Sequence, residues 1–342
     1  EVQINKAYED LSNVVVTDVL PVTPNDSLEL SGIEVYLLNL NNDGTFNSYS
    51  ASPLSPGTDY TVVGSQVNLG DINQPYAIRY KTNIKDSFKP DEGGTITIVN
   101  NAEMSATNTN LLTASASFSA VYGKLLEKTR TGYAPVTQTF TWRVRYNDGE
   151  KTLDAPLVTD VFSANMEYVS GTTPISIVDL AGNTLVLGTD YTFVSIPEDN
   201  KIEIQFIGTL NKAVDITYNT RIKDSVIISG STAVNVSNTV SSNGKSSQSS
   251  GTATQQVLVK RNTFIDYATK KTGWSVDINI NKYNIKNYTL TDTYTNRGLT
   301  LDTLIVRDMT NNTIVDPINY TLTKTYDGTV ETGFTLAFIG AY

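Results

Sequence analysis

The chain has 342 residues, with 25 Lys and Arg against 35 Asp and Glu, a formal net charge of −10, and neither His nor Cys. The acidic balance argues against nucleic acid and anionic membranes as partners, because both bind basic surfaces. Without His and Cys there is no Ser-His-Asp or Cys-His centre, no disulfide and no thiolate zinc site, so we expect a non-enzyme with no cofactor and no metal.

Apolar and polar residues alternate along most of the chain, and helical periodicity is nearly absent. This alternation predicts strands at 117–122, 139–146, 201–206 and 214–218. Turn sequences rich in Asn, Asp and Gly separate such segments. Short strands at this spacing predict an all-β fold built of β-sandwiches. The first residues lack the pattern of a leader, and no stretch approaches the roughly 20 apolar residues that span a bilayer, so we expect no membrane insertion within this segment.

Internal repetition is the most informative feature of the sequence. The strand around Trp142 matches the strand around Trp274, and an Asp lies 18 residues after each Trp, at Asp160 and Asp292. Residues 1–18 form a third copy, because 13 residues separate an Asn from an Asp in every copy. These pairs are Asn5 and Asp18, Asn147 and Asp160, and Asn279 and Asp292. Three tandem copies are hard to obtain by chance.

The repeat predicts the domain boundaries. Residues 1–123 form a sandwich that lacks its first strand, 124–256 a complete sandwich, and 257–342 a sandwich that lacks its last strands. The run of Ser and Gly at 241–251 has the composition of a linker. It falls inside the second repeat, so we interpret it as a long hairpin loop.

Lys, Asp and Asn recur at fixed places in the repeat. Lys128 and Lys260 each precede their Trp by 14 residues. Asn238, in Val-Ser-Asn-Thr, aligns with Asn101, in Val-Asn-Asn-Ala. Lys124 remains an alternative to Lys128, although the Trp spacing favours Lys128.

This arrangement resembles the collagen-binding-type, isopeptide-forming immunoglobulin-like repeat domains of Gram-positive cell-wall-anchored surface adhesins. The Lys-to-Trp spacing, the Val-Thr-Asp strand and the terminal Asn strand carry the resemblance. It implies that a Lys and an Asn of one domain form a spontaneous isopeptide bond, assisted by a buried acid. The implied residues are Lys128, Asp160 and Asn238 in the second repeat, Lys260 and Asp292 in the third, and Asp18 and Asn101 in the first.

The proposed chemistry agrees with the physics of a sandwich core. Burial disfavours the ammonium form of Lys and leaves a nucleophilic amine, and it keeps a neighbouring Asp protonated. A protonated Asp would hydrogen-bond the Asn carboxamide and make its carbon more electrophilic. Each residue taken alone is more often a solvated strand residue, a turn acid or a loop cap, so the hypothesis depends on their recurrence. We expect Trp142 and Trp274 in cores rather than at ligand-stacking surfaces.

We therefore expect an all-β array of tandem immunoglobulin-like β-sandwich domains. We expect it to be a structural stalk or adhesive segment of a bacterial cell-surface protein, located outside the cell at the cell wall. The resemblance implies a host extracellular-matrix protein, or neighbouring copies of the chain, as partners. A subunit of an extracellular fibre or surface layer is one alternative. A carbohydrate-binding module is another, for which the Tyr-rich first repeat is the candidate.

Overall fold

A computed structural model describes residues 1–19, 28–171, 175–226, 233–283, 285–295 and 298–340. This part of the chain contains strands and no α-helix, with single 3-10 turns at Asp86–Phe88, Pro197–Asp199 and Pro317–Asn319. The predicted fold class, all-β tandem immunoglobulin-like sandwiches, is confirmed. None of its helical turns has the length and apolar character that a membrane crossing requires.

The first repeat is a two-sheet sandwich. Its strands are β1 (Val2–Ile4), β2 (Leu11–Val19), β3 (Leu28–Leu40), β4 (Phe46–Tyr49), β5 (Thr61–Val63), β6 (Gln66–Ile72), β7 (Tyr76–Ile84), β8 (Gly94–Ala106) and β9 (Thr109–Tyr122). One sheet has the order β1-β7-β3-β4 and the other β5-β6-β2-β8-β9, with antiparallel pairing. Val14, Val35 and Ile78 are among the side chains that fill the space between the sheets.

The second repeat has the largest core. Its strands are β10 (Leu126–Ala134), β11 (Thr139–Tyr146), β12 (Leu153–Asp154), β13 (Leu157–Phe162), β14 (Met166–Tyr168), β15 (Ser176–Asp179), β16 (Tyr191–Ile196), β17 (Lys201–Phe206), β18 (Thr209–Leu210), β19 (Val214–Ile222), β20 (Ala233–Ser242) and β21 (Lys245–Thr254). One sheet runs β10-β11-β19-β14, with β15 also paired to β19, and the facing sheet runs β16-β17-β13-β20-β21. Every second residue of β11 is buried, from Phe140 to Tyr146, because successive strand residues point to opposite faces.

The third repeat has a much smaller core. Its strands are β22 (Leu258–Asp266), β23 (Lys271–Ile278), β24 (Thr289–Thr293), β25 (Arg307–Asp308), β26 (Thr313–Ile314), β27 (Tyr320–Asp327) and β28 (Val330–Phe338).

The two tryptophans of the repeat differ in burial. Trp142 is fully buried and donates from Nε1 to Thr220 Oγ1 at 2.8 Å. Trp274 is 54% exposed, so its predicted core position is wrong for this structure. The reason is that β23 pairs only with β22 in the described residues, whereas β11 also pairs with β19.

The four predicted strands are confirmed, since 139–146 and 201–206 match β11 and β17, and the other two lie within β9 and β19. The loop predicted at 241–251 is wrong. Those residues form the end of β20, a tight turn at 243–244 and most of β21. The Ser hydroxyls have a structural use, because Ser247 and Ser249 accept hydrogen bonds from the backbone N–H groups of Lys128 and Arg130.

The repeated Asn residues close one kind of turn in all three repeats. Asn5, Asn147 and Asn279 have left-handed backbones, with φ of 52°, 60° and 58°. Each Asn side chain accepts a hydrogen bond from the backbone N–H of the residue four positions later. It also donates one to the backbone carbonyl of that later residue. Asn tolerates this conformation better than most residues. The recurrence of these Asn residues in the three repeats therefore reflects the structural requirement of this turn.

We predict that residues 124–256 fold as an isolated fragment. The strand pairs of the described residues all fall within 1–122, 126–254 or 258–338, which supports this prediction. The fragment should show a β-type circular dichroism spectrum and one cooperative thermal transition. Limited proteolysis of the whole chain should cut near 122–124 and 255–257 and spare the 241–251 hairpin. An unfolded fragment would contradict the boundaries.

Candidate functional site

Both sheets of the second repeat contribute to a buried polar cluster. Lys128 lies on the edge strand β10, and Tyr218 lies on β19 of the same sheet. Asp160 and Asn238 lie on the neighbouring strands β13 and β20 of the facing sheet. All four side chains point between the sheets, because they occupy the inward positions of their alternating strands.

The four side chains are in direct contact. Lys128 Nζ donates hydrogen bonds to Asp160 Oδ2 and to the Tyr218 hydroxyl. Asn238 Nδ2 donates to the same hydroxyl at 2.9 Å. The aromatic rings of Tyr218 and Trp142 complete the enclosure, with their centroids 4.9 and 5.5 Å from Lys128 Nζ. Water is excluded, since the side chains of Lys128 and Asp160 are 0% and 1% exposed.

Burial shifts the protonation equilibria of this cluster toward neutral groups. It lowers the pKa of Lys128, against the attraction of Asp160, which raises it. Burial also raises the pKa of Asp160, against hydrogen bonds from Lys128, Tyr218 and Asn238. The Tyr218 hydroxyl stays protonated, because burial raises its pKa well above the usual value. Desolvation is the larger effect on both groups, and it favours the neutral amine and the protonated carboxyl.

Two buried oxygens in the cluster, Asp160 Oδ1 and Asn238 Oδ1, have no hydrogen-bond partner in the described part of the chain. A buried polar atom without a partner is costly and calls for an explanation. The first atom belongs to Asp160, the predicted acid, and the second to Asn238, the predicted electrophile.

The structure separates the two candidate lysines. Lys124 is about half exposed, and its Nζ lies 3.6 Å from Glu127 Oε1 in a surface ion pair. Lys128 alone of the two enters the cluster with Asp160 and Asn238.

The first repeat contains an equivalent cluster without a lysine. Tyr80 donates to Asp18 Oδ1 at 3.0 Å, and Asn100 Nδ2 donates to Asp18 Oδ1 at 2.7 Å and to the Tyr80 hydroxyl at 3.0 Å. Burial raises the pKa of Asp18, and burial together with Asp18 raises the pKa of Tyr80 to about 12. Asp18 Oδ2 and Asn100 Oδ1 are buried and have no hydrogen-bond partner among the residues that the structure describes, like Asp160 Oδ1 and Asn238 Oδ1 in the second repeat.

The asparagine of this first cluster is Asn100, so the alignment of Asn238 with Asn101 is wrong by one residue. Asn101 is exposed. In the second repeat Asp160 pairs with Val240, two residues after Asn238, and in the first Asp18 pairs with Ala102, two residues after Asn100. A shift of one residue along a strand moves the side chain to the opposite face.

The third repeat brings together Lys260 and Asp292. Lys260 Nζ donates to both carboxylate oxygens of Asp292 at 2.7 Å and lies 5.1 Å from the centroid of the Trp274 ring. The Lys260 side chain is 41% exposed, and no asparagine contacts either residue within the described residues. The Asp292 side chain is 9% exposed, so the pair is solvated on the lysine side only, unlike the enclosed cluster around Lys128.

Sequence reasoning did not assign a role to Tyr218 or Tyr80, although both head the same repeated motif, Tyr-x-Thr-x-Ile-Lys-Asp-Ser. The repeated motif could have identified both tyrosines as candidates. It could not show which way their side chains point, because that depends on strand register.

The register correction gives a prediction for the first repeat. Asn100→Ala removes the donor to Asp18 and Tyr80 and should lower the free energy of unfolding by about 1–3 kcal/mol, the usual cost of leaving a buried group unpaired. Asn101→Ala is the matched control and should change it by less than about 0.5 kcal/mol, since the side chain is exposed. Scanning calorimetry of the chain measures both. Equal effects, or a larger effect at Asn101, would restore the original alignment.

Comparison with known protein families found a similarity within the first repeat. Residues 1–115 match the family model described as collagen binding domain. Comparison with curated protein sequences found no match.

Solved structures also resemble the chain at low identity. The collagen-binding domain of a Staphylococcus aureus adhesin is 13% identical, with 37% of this chain and 95% of that chain covered and a TM-score of 0.28. The collagen adhesin of S. aureus is 12% identical, with 78% and 84% covered and a TM-score of 0.29. A 35 kDa C-terminal fragment of the major pilin of Streptococcus agalactiae is 11% identical, with 63% and 79% covered and a TM-score of 0.30. Over residues 1–115, the chain is similar to the family described as collagen binding domain.

Proposed function

We propose that the chain is a structural and adhesive segment of a bacterial cell-surface protein whose second repeat is stiffened by an isopeptide bond between Lys128 and Asn238. The observation that supports this most strongly is the enclosed contact of Lys128, Asp160, Tyr218 and Asn238 between the two sheets. Burying a lysine and an acid costs free energy, because both side chains lose their hydration. Buried ionisable groups with shifted pKa values cluster at functional sites, which favours a functional use for this pair.

The reaction is a single acyl transfer within the domain. The neutral Lys128 amine attacks Asn238 Cγ, the Nζ–Cγ bond forms and the Cγ–Nδ2 bond breaks. One amine proton passes to the departing nitrogen, and ammonia leaves. The Asp160 carboxyl acts as the acid, because its proton on Oδ1 would satisfy both orphaned oxygens by donation to Asn238 Oδ1 and would polarise the carboxamide.

Such a bond would change the mechanical properties of the repeat. It closes a loop of 110 residues, from 128 to 238, and joins an early strand to a late one. By the chain-entropy relation used for disulfides, this closure contributes about 4–5 kcal/mol. Tension along the chain would then load a covalent amide instead of strand hydrogen bonds. This property suits a stalk on a cell surface, outside the cell and anchored at the cell wall.

The mass of the intact chain tests the proposal. We expect one ammonia less than the sequence mass, and the full sequence mass for Lys128→Ala and for Asp160→Ala. Lys124→Ala is the matched control and should keep the loss, because its side chain lies outside the cluster. We expect one ammonia lost per chain, since the first repeat offers Asp18 and Asn100 without a lysine and the third offers Lys260 and Asp292 without an asparagine. A wild-type chain at its full mass would refute the bond.

An adhesive role is supported by the family match and by an aromatic face on the first repeat. The rings of Tyr36, Phe46 and Tyr49 pack side by side, with centroids 5.3 Å apart for Tyr36 and Tyr49 and 4.9 Å apart for Phe46 and Tyr49. The guanidinium of Arg79 lies 5.0 Å from the Tyr49 ring centroid. Aromatic side chains on a binding surface are a recurring means of recognising extended, proline-rich chains. We therefore propose an extracellular-matrix protein such as collagen as the partner, with carbohydrate as the alternative.

Binding to immobilised triple-helical collagen tests this role. We expect saturable binding that weakens at least several-fold in Tyr49→Ala, because aromatic anchors dominate such interfaces. Tyr326→Ala, at an exposed tyrosine of the third repeat, is the control and should bind normally. Binding to glycans and not to collagen would favour the carbohydrate-binding alternative, and binding to neither would leave a stalk role alone.

A further inference from the structure

The Tyr218 hydroxyl lies between the two nitrogen atoms whose bonds change in the proposed cross-linking. It accepts hydrogen bonds from Lys128 Nζ and from Asn238 Nδ2, the second at 2.9 Å. It also hydrogen-bonds the Asp160 carboxyl. One oxygen atom therefore contacts the attacking nitrogen, the departing nitrogen and the acid.

The reaction needs a proton to move between these two nitrogens. Attack on Asn238 Cγ makes Lys128 Nζ cationic, and Nδ2 can leave as ammonia only if it gains a proton. Direct transfer would pass through a strained four-membered ring, because both nitrogens are then bonded to the same carbon. A hydroxyl placed between them enlarges the ring to six members. A positioned side chain that transfers a proton in this way typically accelerates a reaction by about 10²–10⁴-fold.

Attack also changes what Asn238 Nδ2 can accept. In the carboxamide this nitrogen is only a donor, which agrees with its hydrogen bond to the Tyr218 oxygen. When Lys128 adds to Cγ, amide resonance ends and Nδ2 acquires a lone pair that accepts a hydrogen bond. The phenolic hydroxyl can both donate and accept, so its hydrogen can turn from Asp160 to Nδ2. The same two atoms then stay in contact with the hydrogen bond reversed.

We propose that Tyr218 is a catalytic residue of the cross-linking and relays a proton from Lys128 Nζ to Asn238 Nδ2. Nζ gives a proton to the Tyr218 oxygen, this oxygen gives its own proton to Nδ2, the Cγ–Nδ2 bond breaks and ammonia leaves. The Asp160 carboxyl has its proton again once the carbonyl re-forms. Tyr218 ends neutral, as its burial requires. This inference rests on the proposed Lys128–Asn238 bond.

A purely structural role for the hydroxyl is the alternative. In the first repeat Asn100 Nδ2 donates to the Tyr80 hydroxyl at 3.0 Å, although the described residues bring no lysine to that cluster. The contact between the tyrosine and the asparagine therefore positions an amide by itself. A relay adds an effect on the rate of cross-linking that exceeds any effect on stability.

The rate at which newly made chains lose ammonia tests the relay. Chains are made by cell-free translation, translation is stopped, and samples are denatured in acid at intervals for intact-mass measurement. Tyr218→Phe keeps the ring beside the lysine and removes only the hydroxyl, so we expect the loss to slow by about 100-fold or more. Tyr146→Phe is the matched control and should react at the wild-type rate. It removes the hydroxyl of a fully buried tyrosine in the same core that bonds Ser242 and Asn243.

The structural cost of each substitution is measured where no bond can form. In chains that also carry Lys128→Ala, we expect Tyr218→Phe and Tyr146→Phe to unfold cooperatively with similar midpoints, because each removes one buried hydroxyl. If Tyr218→Phe prevents folding, the wild-type rate in mixtures of H2O and D2O decides. A relay moves two protons together and makes the rate a curved function of the deuterium content, whereas a linear dependence would overturn it.

The outcomes separate the relay from the bond. If wild-type and Tyr218→Phe chains lose ammonia equally fast, the relay is wrong and the bond stands. Equal slowing in Tyr218→Phe and Tyr146→Phe would also overturn the relay, because the rate would then follow stability. A wild-type chain that keeps its full mass would refute the bond and the relay together.

Discussion

The second repeat depends on the placement of a lysine amine in a space without water. An ammonium at that place would lose its hydration, and Asp160 can compensate only in part. A neutral state of both groups would remove this cost and would place a nucleophilic amine beside an acid. Tyr218 links them to Asn238, since its hydroxyl accepts from both nitrogens. The sandwich provides the enclosure, and the alternation of its strands determines which residues face inward.

The three repeats show the same site in three states of completeness. The second has a lysine, an acid, a tyrosine and an asparagine, all enclosed. The first retains Asp18, Tyr80 and Asn100 in the same hydrogen-bond pattern, which shows that the acid and the amide form a stable arrangement without the amine. The third has the amine and the acid in an ion pair whose lysine side chain is 41% exposed and whose acid is 9% exposed. Burial of the lysine is therefore what distinguishes the cluster of the second repeat from the pair of the third.

Much of this organisation could be predicted from the sequence. The period-2 pattern predicted the strands, and the repeated spacing of Lys, Trp and Asp selected Lys128 and Asp160 correctly as neighbours. The errors share one physical cause, since composition and spacing do not determine register or partners. Asn101 and Asn100 differ by one position and face opposite sides of β8. The Ser-rich run resembles a linker in composition, but its hydroxyls bind the backbone of β10. Trp274 has the pattern of a core residue and lacks a second strand beside β23 in the described residues.

Tandem mass spectrometry of a tryptic digest tests the central claim most directly. If Lys128 is joined to Asn238, trypsin cannot cleave after Lys128, and the digest should contain one branched peptide whose fragments place the amide between these two residues. Chains with Asp160→Ala should yield the two linear peptides instead. Linear peptides from the wild-type chain, with cleavage after Lys128 and an unmodified Asn238, would contradict the account.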